Sequence, residues 1–143
     1  MAGKLFVRRR DGRVEVRLTG EGRDFVRALF REVVAAERDP EHQWRGGLLP
    51  PMDPSRDEDD PLNSLQRQQQ IATNAELALV TLDESFLNDA EAWAWLSTLQ
   101  VALRATALTF GLLDDARLEA ADATLVDQVH AIQQLLFELA DCL

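Results

Sequence analysis

The sequence predicts a mainly α-helical fold, with a four-helix bundle-like core and an N-terminal β-hairpin. Four segments each carry a single apolar stripe at helical spacing, which predicts four helices. In one N-terminal segment, apolar and polar residues alternate around an Asp-Gly pair, which predicts the hairpin. The 143 residues suit one domain, 1–143, because two separate cores would leave too little apolar surface for either. A composition of 46% hydrophobic and 28% charged residues is that of a folded globular protein.

Residues 4–19 are predicted to form the β-hairpin, with the Asp-Gly pair at 11–12 as its turn. Asp-Gly is typical of two-residue turns whose central residues both have positive φ. Such a turn pairs Val7 with Val16 and places the apolar side chains of both strands on one face. Because an isolated hairpin is marginal in water, we expect that face to rest on the helices, or the strand edge to pair with another copy.

The first helix is predicted from about Glu21 to Arg38. Thr19 or Gly20 stands at its start as a cap, and Pro40 follows its end. Its apolar stripe comprises Phe25, Val26, Leu29, Phe30, Val33 and Val34. We expect this stripe to face the common core of the bundle.

Residues 39–60 are predicted to form a long loop, because they lack periodicity and hold four of the five prolines. Large apolar side chains in a loop require cover, either from the chain's own core or from a partner. Four residues raise this question: Trp44, Leu48, Leu49 and Met52.

Two further amphipathic helices are predicted at about 61–84 and 124–141. Asp60 followed by Pro61 opens the first of them, since Asp caps helices and Pro favours the first helical position. The acidic run Asp57–Asp60 either stabilises this helix start or binds Mg²⁺ or Ca²⁺, and the helix dipole favours the first interpretation. The expected buried residues are Ile71, Ala75, Ala78, Leu82, Leu125, Val129, Ile132, Leu136 and Leu139.

The third helix is predicted at about 89–111. Asn88 with Glu91 three residues later resembles a capping box, which opens this helix. Its expected buried stripe is Trp93, Leu96, Leu103, Ala107 and Phe110, with Trp95 and Leu99 flanking it. Because the two tryptophans are two positions apart, they point to different sides of the helix.

The sequence contains no recognisable catalytic or metal-binding motif. His42 and His130 are the only histidines and Cys142 is the only cysteine, whereas a zinc site needs three or four ligands. We therefore expect a protein that is not an enzyme and uses no cofactor or metal. The alternative is a small enzyme or ligand binder in which carboxylates, or Arg104, converge in a cleft of the bundle.

The charge of the chain is unevenly distributed, with a net charge of −10. Residues 1–38 hold ten basic and six acidic side chains, whereas 39–143 hold five basic and nineteen acidic ones. The acidic body repels a phosphate backbone, so we expect no nucleic acid partner. No apolar run is long enough to span a membrane and none near the start resembles a signal peptide, so we expect a cytoplasmic protein and no membrane partner.

The order of several features along nearly the whole chain resembles an actinobacterial family, the domain of unknown function 2017. The features are the F-V-R-R-R-D-G-R-V hairpin, Leu48-Leu49-Pro50 with the acids that follow, the Gln-rich helix, Ala92-Trp93-Ala94-Trp95-Leu96 and the final amphipathic helix. The resemblance implies a cytoplasmic protein whose gene lies near that of the Clp protease adaptor. It carries no catalytic residue over to this chain.

These observations together predict a non-enzymatic interaction or regulatory protein, with a link to Clp-type proteolysis implied by the resemblance. We expect self-association, a homodimer, or a stable complex with a protein partner. The candidate interaction surface combines the loop with the basic hairpin, and its residues are Trp44, Leu48, Leu49, Met52, Arg8 and Arg10.

Overall fold

The computed structural model describes residues 4–48, 61–109 and 123–143. In those residues the chain forms four helices and one small antiparallel sheet, which confirms the predicted mainly α-helical fold with an N-terminal hairpin. The elements in chain order are β1 (Phe6–Arg8), β2 (Val14–Val16), α1 (Gly20–Arg38), a 3₁₀ turn (Arg45–Gly47), α2 (Pro61–Val80), β3 (Phe86–Leu87), α3 (Asp89–Thr109) and α4 (Ala123–Asp141).

The hairpin has a register one residue away from the predicted one. β1 places Phe6, not Val7, opposite Val16. A slip of one residue exchanges the two faces of a strand, because side chains alternate along it. Phe6 is therefore the side chain that enters the core, whereas Val7 is only half-buried.

The length of the hairpin loop explains this register. The Gly12 N–H donates to the Arg9 carbonyl at 3.0 Å, and the Arg9 N–H donates to the Arg13 carbonyl at 2.8 Å. Residues 10–12 therefore form a three-residue loop, and the two-residue turn predicted from Asp-Gly is wrong. Gly12 alone carries a positive φ in the described part of the chain, at 90°, as expected for a turn followed by one left-handed residue.

A third strand, which the sequence did not predict, extends the sheet. β3 pairs with β2, with Leu87 opposite Val14. α2 correspondingly ends at Val80, four residues before the predicted end of that helix. Arg23 of α1 stabilises this ending, because its guanidinium donates to the carbonyls of Leu82 at 2.5 Å and of residue 84 at 3.2 Å. The β2 edge is thus covered by the same chain.

Trp95 lies at the centre of the core and is fully buried. Its ring meets Phe6 and Phe30 edge-on, at centroid distances of 6.2 and 5.3 Å. Its Nε1–H donates to Thr81 Oγ1 at 2.9 Å, so the one polar atom of the ring is paired. The sheet, α1, α2 and α3 therefore meet at a single side chain.

The prediction of which face of α3 is buried is wrong at the tryptophans. Trp93 is 56% exposed, whereas Trp95 and Leu99 are fully buried. α3 packs against α1, α2, α4 and the 3₁₀ turn, so apolar residues lie on most of its sides. An apolar stripe cannot identify the inward face of a helix that is surrounded in this way.

Local capping and the stripes of the outer helices agree with the sequence. The Asn88 and Glu91 side chains each accept the other's backbone N–H at 2.8 Å, which confirms the capping box. Thr19 caps α1 by accepting the Gly22 N–H at 3.0 Å. The predicted residues that prove buried on α1, α2 and α4 are Val26, Leu29, Phe30, Val33, Ala75, Ala78, Val129, Ile132 and Leu139. Leu82 is also buried as predicted, but it lies after the end of α2.

α3 and α4 run antiparallel, and the N-terminal strand joins the start of one to the end of the other. Arg8 pairs with Asp89 at 2.9 Å, and the chain just before β1 donates a backbone N–H to Glu138 Oε1 at 3.0 Å. Near the opposite ends of the two helices, Ala107 and Val129 form a small apolar cluster. The first turns of α3 and the last turns of α4 are therefore neighbours at the hairpin end of the molecule.

Candidate functional site

The structure places the described part of the predicted loop surface in the core. Trp44 is 6% exposed and Leu48 is 2% exposed, and both belong to the main apolar cluster. The chain itself thus supplies the cover that these side chains require, and neither is available to a partner. Leu49 and Met52 lie outside the described residues, as does the acidic run Asp57–Asp60.

Arg104 has a structural role in this region. Its Nε and Nη2 donate to the carbonyls of Gly47 and Leu48, at 3.0 and 2.7 Å. The 3₁₀ turn sits so close to α3 that a Cβ added at Gly47 would lie 2.6 Å from the Ala105 Cα. Arg104 therefore holds the segment after α1 against α3 through backbone contacts.

Arg104 lines a groove between α2 and α3. This groove is relevant to the alternative prediction of a small enzyme or ligand binder in which carboxylates, or Arg104, converge in a cleft. The groove has a volume of about 240 Å³, and Arg67, Asn74 and Ser97 are among its polar residues. Asn74 Nδ2 donates to Ser97 Oγ at 3.3 Å across it. No Asp or Glu is among the described residues that line this groove, so Arg104 meets no carboxylate there.

The basic hairpin is exposed, but most of its arginines pair with carboxylates of the hairpin or of α3. Arg8 contacts Asp89 at 2.9 Å, and Arg9 contacts Glu15 at 3.3 Å. Arg10 is exposed at the loop. Intramolecular pairing neutralises much of this segment's charge, which lowers its attraction for a phosphate backbone.

The ionisable residues of most interest for chemistry are separated in space. Among the described residues, no group of three or more His, Cys, Asp or Glu side chains is placed to hold a metal ion. His130 is exposed on the outer side of α4, and His42 contacts Glu32 at 2.8 Å. Burial raises the pKa of the Cys142 thiol, so it stays protonated at neutral pH and is a poor nucleophile.

Two large aromatic side chains stand out on the surface: Trp93 is 56% exposed and Phe137 is 73% exposed. Trp93 lies in the second turn of α3 and Phe137 lies near the end of α4, so both are at the hairpin end of the molecule. We call these two residues the aromatic face. Phe137 falls outside the apolar stripe of its helix in the sequence, a signal that could have identified it.

The surroundings of the aromatic face are acidic. No basic side chain occurs in residues 89–96 of α3 or 134–141 of α4. Arg8 pairs with one of the nearby acids, and Lys4 lies close to the end of α4. The acidic residues in these turns are Asp89, Glu91, Glu138 and Asp141.

None of the helices in the described part of the chain combines the length and the apolar character that crossing a membrane requires. Comparison of the chain with protein-family models, with curated proteins and with solved structures finds no match in any of the three.

Proposed function

We propose that this chain is a non-enzymatic interaction or regulatory protein that binds a partner protein through the aromatic face. The observation that carries the proposal is the exposure of Trp93 and Phe137 at one end of the molecule. Burial of each ring against a partner would contribute about 2 kcal/mol. Trp is also enriched among the residues that dominate binding energy at protein interfaces.

The charge around the aromatic face favours a partner other than a second copy. Two copies docked through this face would bring the acids of α3 and α4 together, and such like-charge contacts oppose association. A partner segment with an apolar ridge flanked by Lys or Arg, such as a basic amphipathic helix, is complementary to the face in both charge and polarity.

The resemblance to the domain of unknown function 2017 family supports a place for this interaction in Clp-type proteolysis. In that setting the chain would act by contact with a component of the proteolytic system, since a regulator needs a docking surface and no reaction of its own. The aromatic face supplies such a surface.

Site-specific photocrosslinking tests the proposal. A photoreactive phenylalanine analogue at position 93 should give a discrete adduct with one partner protein in cells that express the chain. The analogue placed at exposed Ala90 should give the same adduct in the parent chain and lose it in the double variant Trp93→Ser/Phe137→Ser. Leu65→Ser is the matched control, since Leu65 is 51% exposed near the start of α2, where this helix lies beside the later turns of α3 and not beside Trp93.

Light scattering of the purified chain accompanies the crosslinking. A monomer that crosslinks to a different protein supports the proposal as stated. A dimer crosslinked to itself at position 93 would replace the basic partner with a second copy. A strict monomer that gives no adduct, or an adduct retained by the double variant, would refute the docking role of the aromatic face.

A further inference from the structure

One face of α3 leads from the exposed Trp93 into the groove between α2 and α3. Ser97, Gln100 and Arg104 of this face line the groove, and Trp93 precedes Ser97 by one helical turn. Spacings of four, three and four residues keep these side chains on one side of an α-helix. The distance along the helix axis from Trp93 to Arg104 is about 16 Å, at 1.5 Å per residue.

The end of the α2–α3 groove that is far from Trp93 is basic. Asn74 of α2 contacts Ser97 of α3 at 3.3 Å. Arg67 lies two turns before Asn74, and Arg104 lies two turns after Ser97. Since both arginines line the groove, the two antiparallel helices bring them to the same end.

These two arginines have no carboxylate of the described chain as a partner. Arg104 donates to the carbonyls of Gly47 and Leu48, which carry no net charge. Burial lowers the pKa of Arg104, because partial removal from water disfavours its charged form. Arg67 is exposed. A carboxylate at this end of the groove would therefore interact favourably with both side chains.

We infer that the partner segment docked at Trp93 continues along the α2–α3 groove and places an Asp or Glu side chain at Arg67 and Arg104. The inference rests on the proposed function, because Trp93 fixes one end of the segment. Ile71 and Val101 also line the groove, so its middle suits apolar side chains.

The two ends of this path differ in charge, which defines the chemistry of the partner. The acids around Trp93 favour Lys or Arg there, whereas the two arginines favour an acidic residue about 16 Å further along. That distance corresponds to about eleven residues of a helix. The partner is thus an amphipathic helix with one basic and one acidic end.

Photocrosslinking from Gln100 tests the path, since Gln100 is exposed and lies seven residues from Trp93 on the same face. The photoreactive analogue at position 100 should give an adduct with the same protein as the analogue at position 93. His130 is the matched control, because it is exposed and lies seven residues from Phe137 along α4. The analogue at position 130 should give no adduct.

The positions of the adducts separate this inference from the proposed function. An adduct at position 93 with none at position 100, or the same adduct at position 130, would overturn the path along the groove and leave docking at Trp93 intact. The absence of any adduct at position 93 would overturn both. An adduct between positions 100 of two copies of this chain would replace the bipolar helix with a second copy and overturn the inference.

Charge reversal tests the acidic end of the partner. Arg67→Glu should lower the yield of the adduct at position 100 about 5- to 10-fold, because two carboxylates would then face each other. Arg31→Glu makes the same change of charge at an exposed arginine of α1 outside the groove, and should leave the yield unchanged.

Mass spectrometry of the crosslinked peptide identifies the partner residue that contacts position 100. An Asp or Glu should lie within about one helical turn of it, and exchange of that residue for Arg should restore the yield in Arg67→Glu. A peptide without an acidic residue there, or a yield that Arg67→Glu does not change, would overturn the inference.

Discussion

The three buried threonines allow a comparison of one substitution, Thr→Val, in three hydrogen-bonding environments. Val has nearly the same shape as Thr, so each variant removes a hydroxyl while leaving the packing intact. At Thr106 no hydrogen bond within the described chain is lost, and a buried polar atom is replaced by a methyl group. We expect Thr106→Val to raise the free energy of unfolding by about 1 kcal/mol, the lower end of the cost of an unpaired buried group.

The other two sites give opposite expectations. Thr98→Val removes one bond to a helix carbonyl, which costs about 0.5–1 kcal/mol. Thr81→Val removes the acceptor of the Trp95 Nε1–H and leaves that donor unpaired in the core. The lost bond and the stranded indole N–H together cost about 2–4 kcal/mol.

Urea unfolding followed by circular dichroism measures the three differences. With a slope of about 2 kcal/mol per molar urea, Thr81→Val should lower the midpoint by about 1–2 M and Thr106→Val should raise it by about 0.5 M. The slopes should stay equal, since the surface exposed on unfolding is the same. Thr106→Val less stable than the parent chain, or Thr81→Val no less stable than Thr98→Val, would refute this reasoning.

Gly47→Ala should destabilise the fold by about 2 kcal/mol in the same urea assay, because the new methyl group meets the backbone of α3. Gly46→Ala is the control and should have little effect, because Gly46 has open space around it. The free energy of unfolding of the Trp93→Ser/Phe137→Ser variant should lie within about 0.5 kcal/mol of that of the parent chain, because exposed side chains contribute little to stability. A larger loss of stability would mean that these rings pack into the core. The Cys142 thiol should reach half of its maximal rate with iodoacetamide at a higher pH in the folded protein than in urea-unfolded protein, because burial raises its pKa in the folded state.

The clearest successes of sequence reasoning are interactions between residues close together in the chain. Asn88 and Glu91 form the predicted capping box, and Thr19 caps α1. Such contacts depend on side chains and amides within one turn of helix, so the local sequence determines them. The same holds for the amphipathic stripes of α1 and α4, each of which has a single buried side.

The hairpin shows where local reasoning stops. Asp-Gly suits a two-residue turn and also a three-residue loop that ends in a left-handed glycine, and the two differ by one residue in register. The burial of Phe6 against Trp95 selects the three-residue loop. This contact joins residues almost ninety positions apart in the chain, so the local sequence does not determine it. β3 is another such case, because a strand of two residues exists only where β2 offers it an edge.

The candidate sites depended even more on tertiary structure. The sequence singled out Trp44 and Leu48 as surface candidates, but the structure buries both, and it exposes Trp93, which the sequence placed in the core. The α2–α3 groove depends on how two helices pack against each other, which the local sequence does not determine.

By itself, then, the sequence determined the helical class, the helix starts and the apolar sides of the outer helices, because those follow from periodicity and from contacts within a turn. Only the tertiary structure decided the hairpin register, the inward face of α3, and the positions of the aromatic face and the α2–α3 groove. Each of these depends on which distant segments compete for the same buried space, and that competition is resolved only when the whole chain packs.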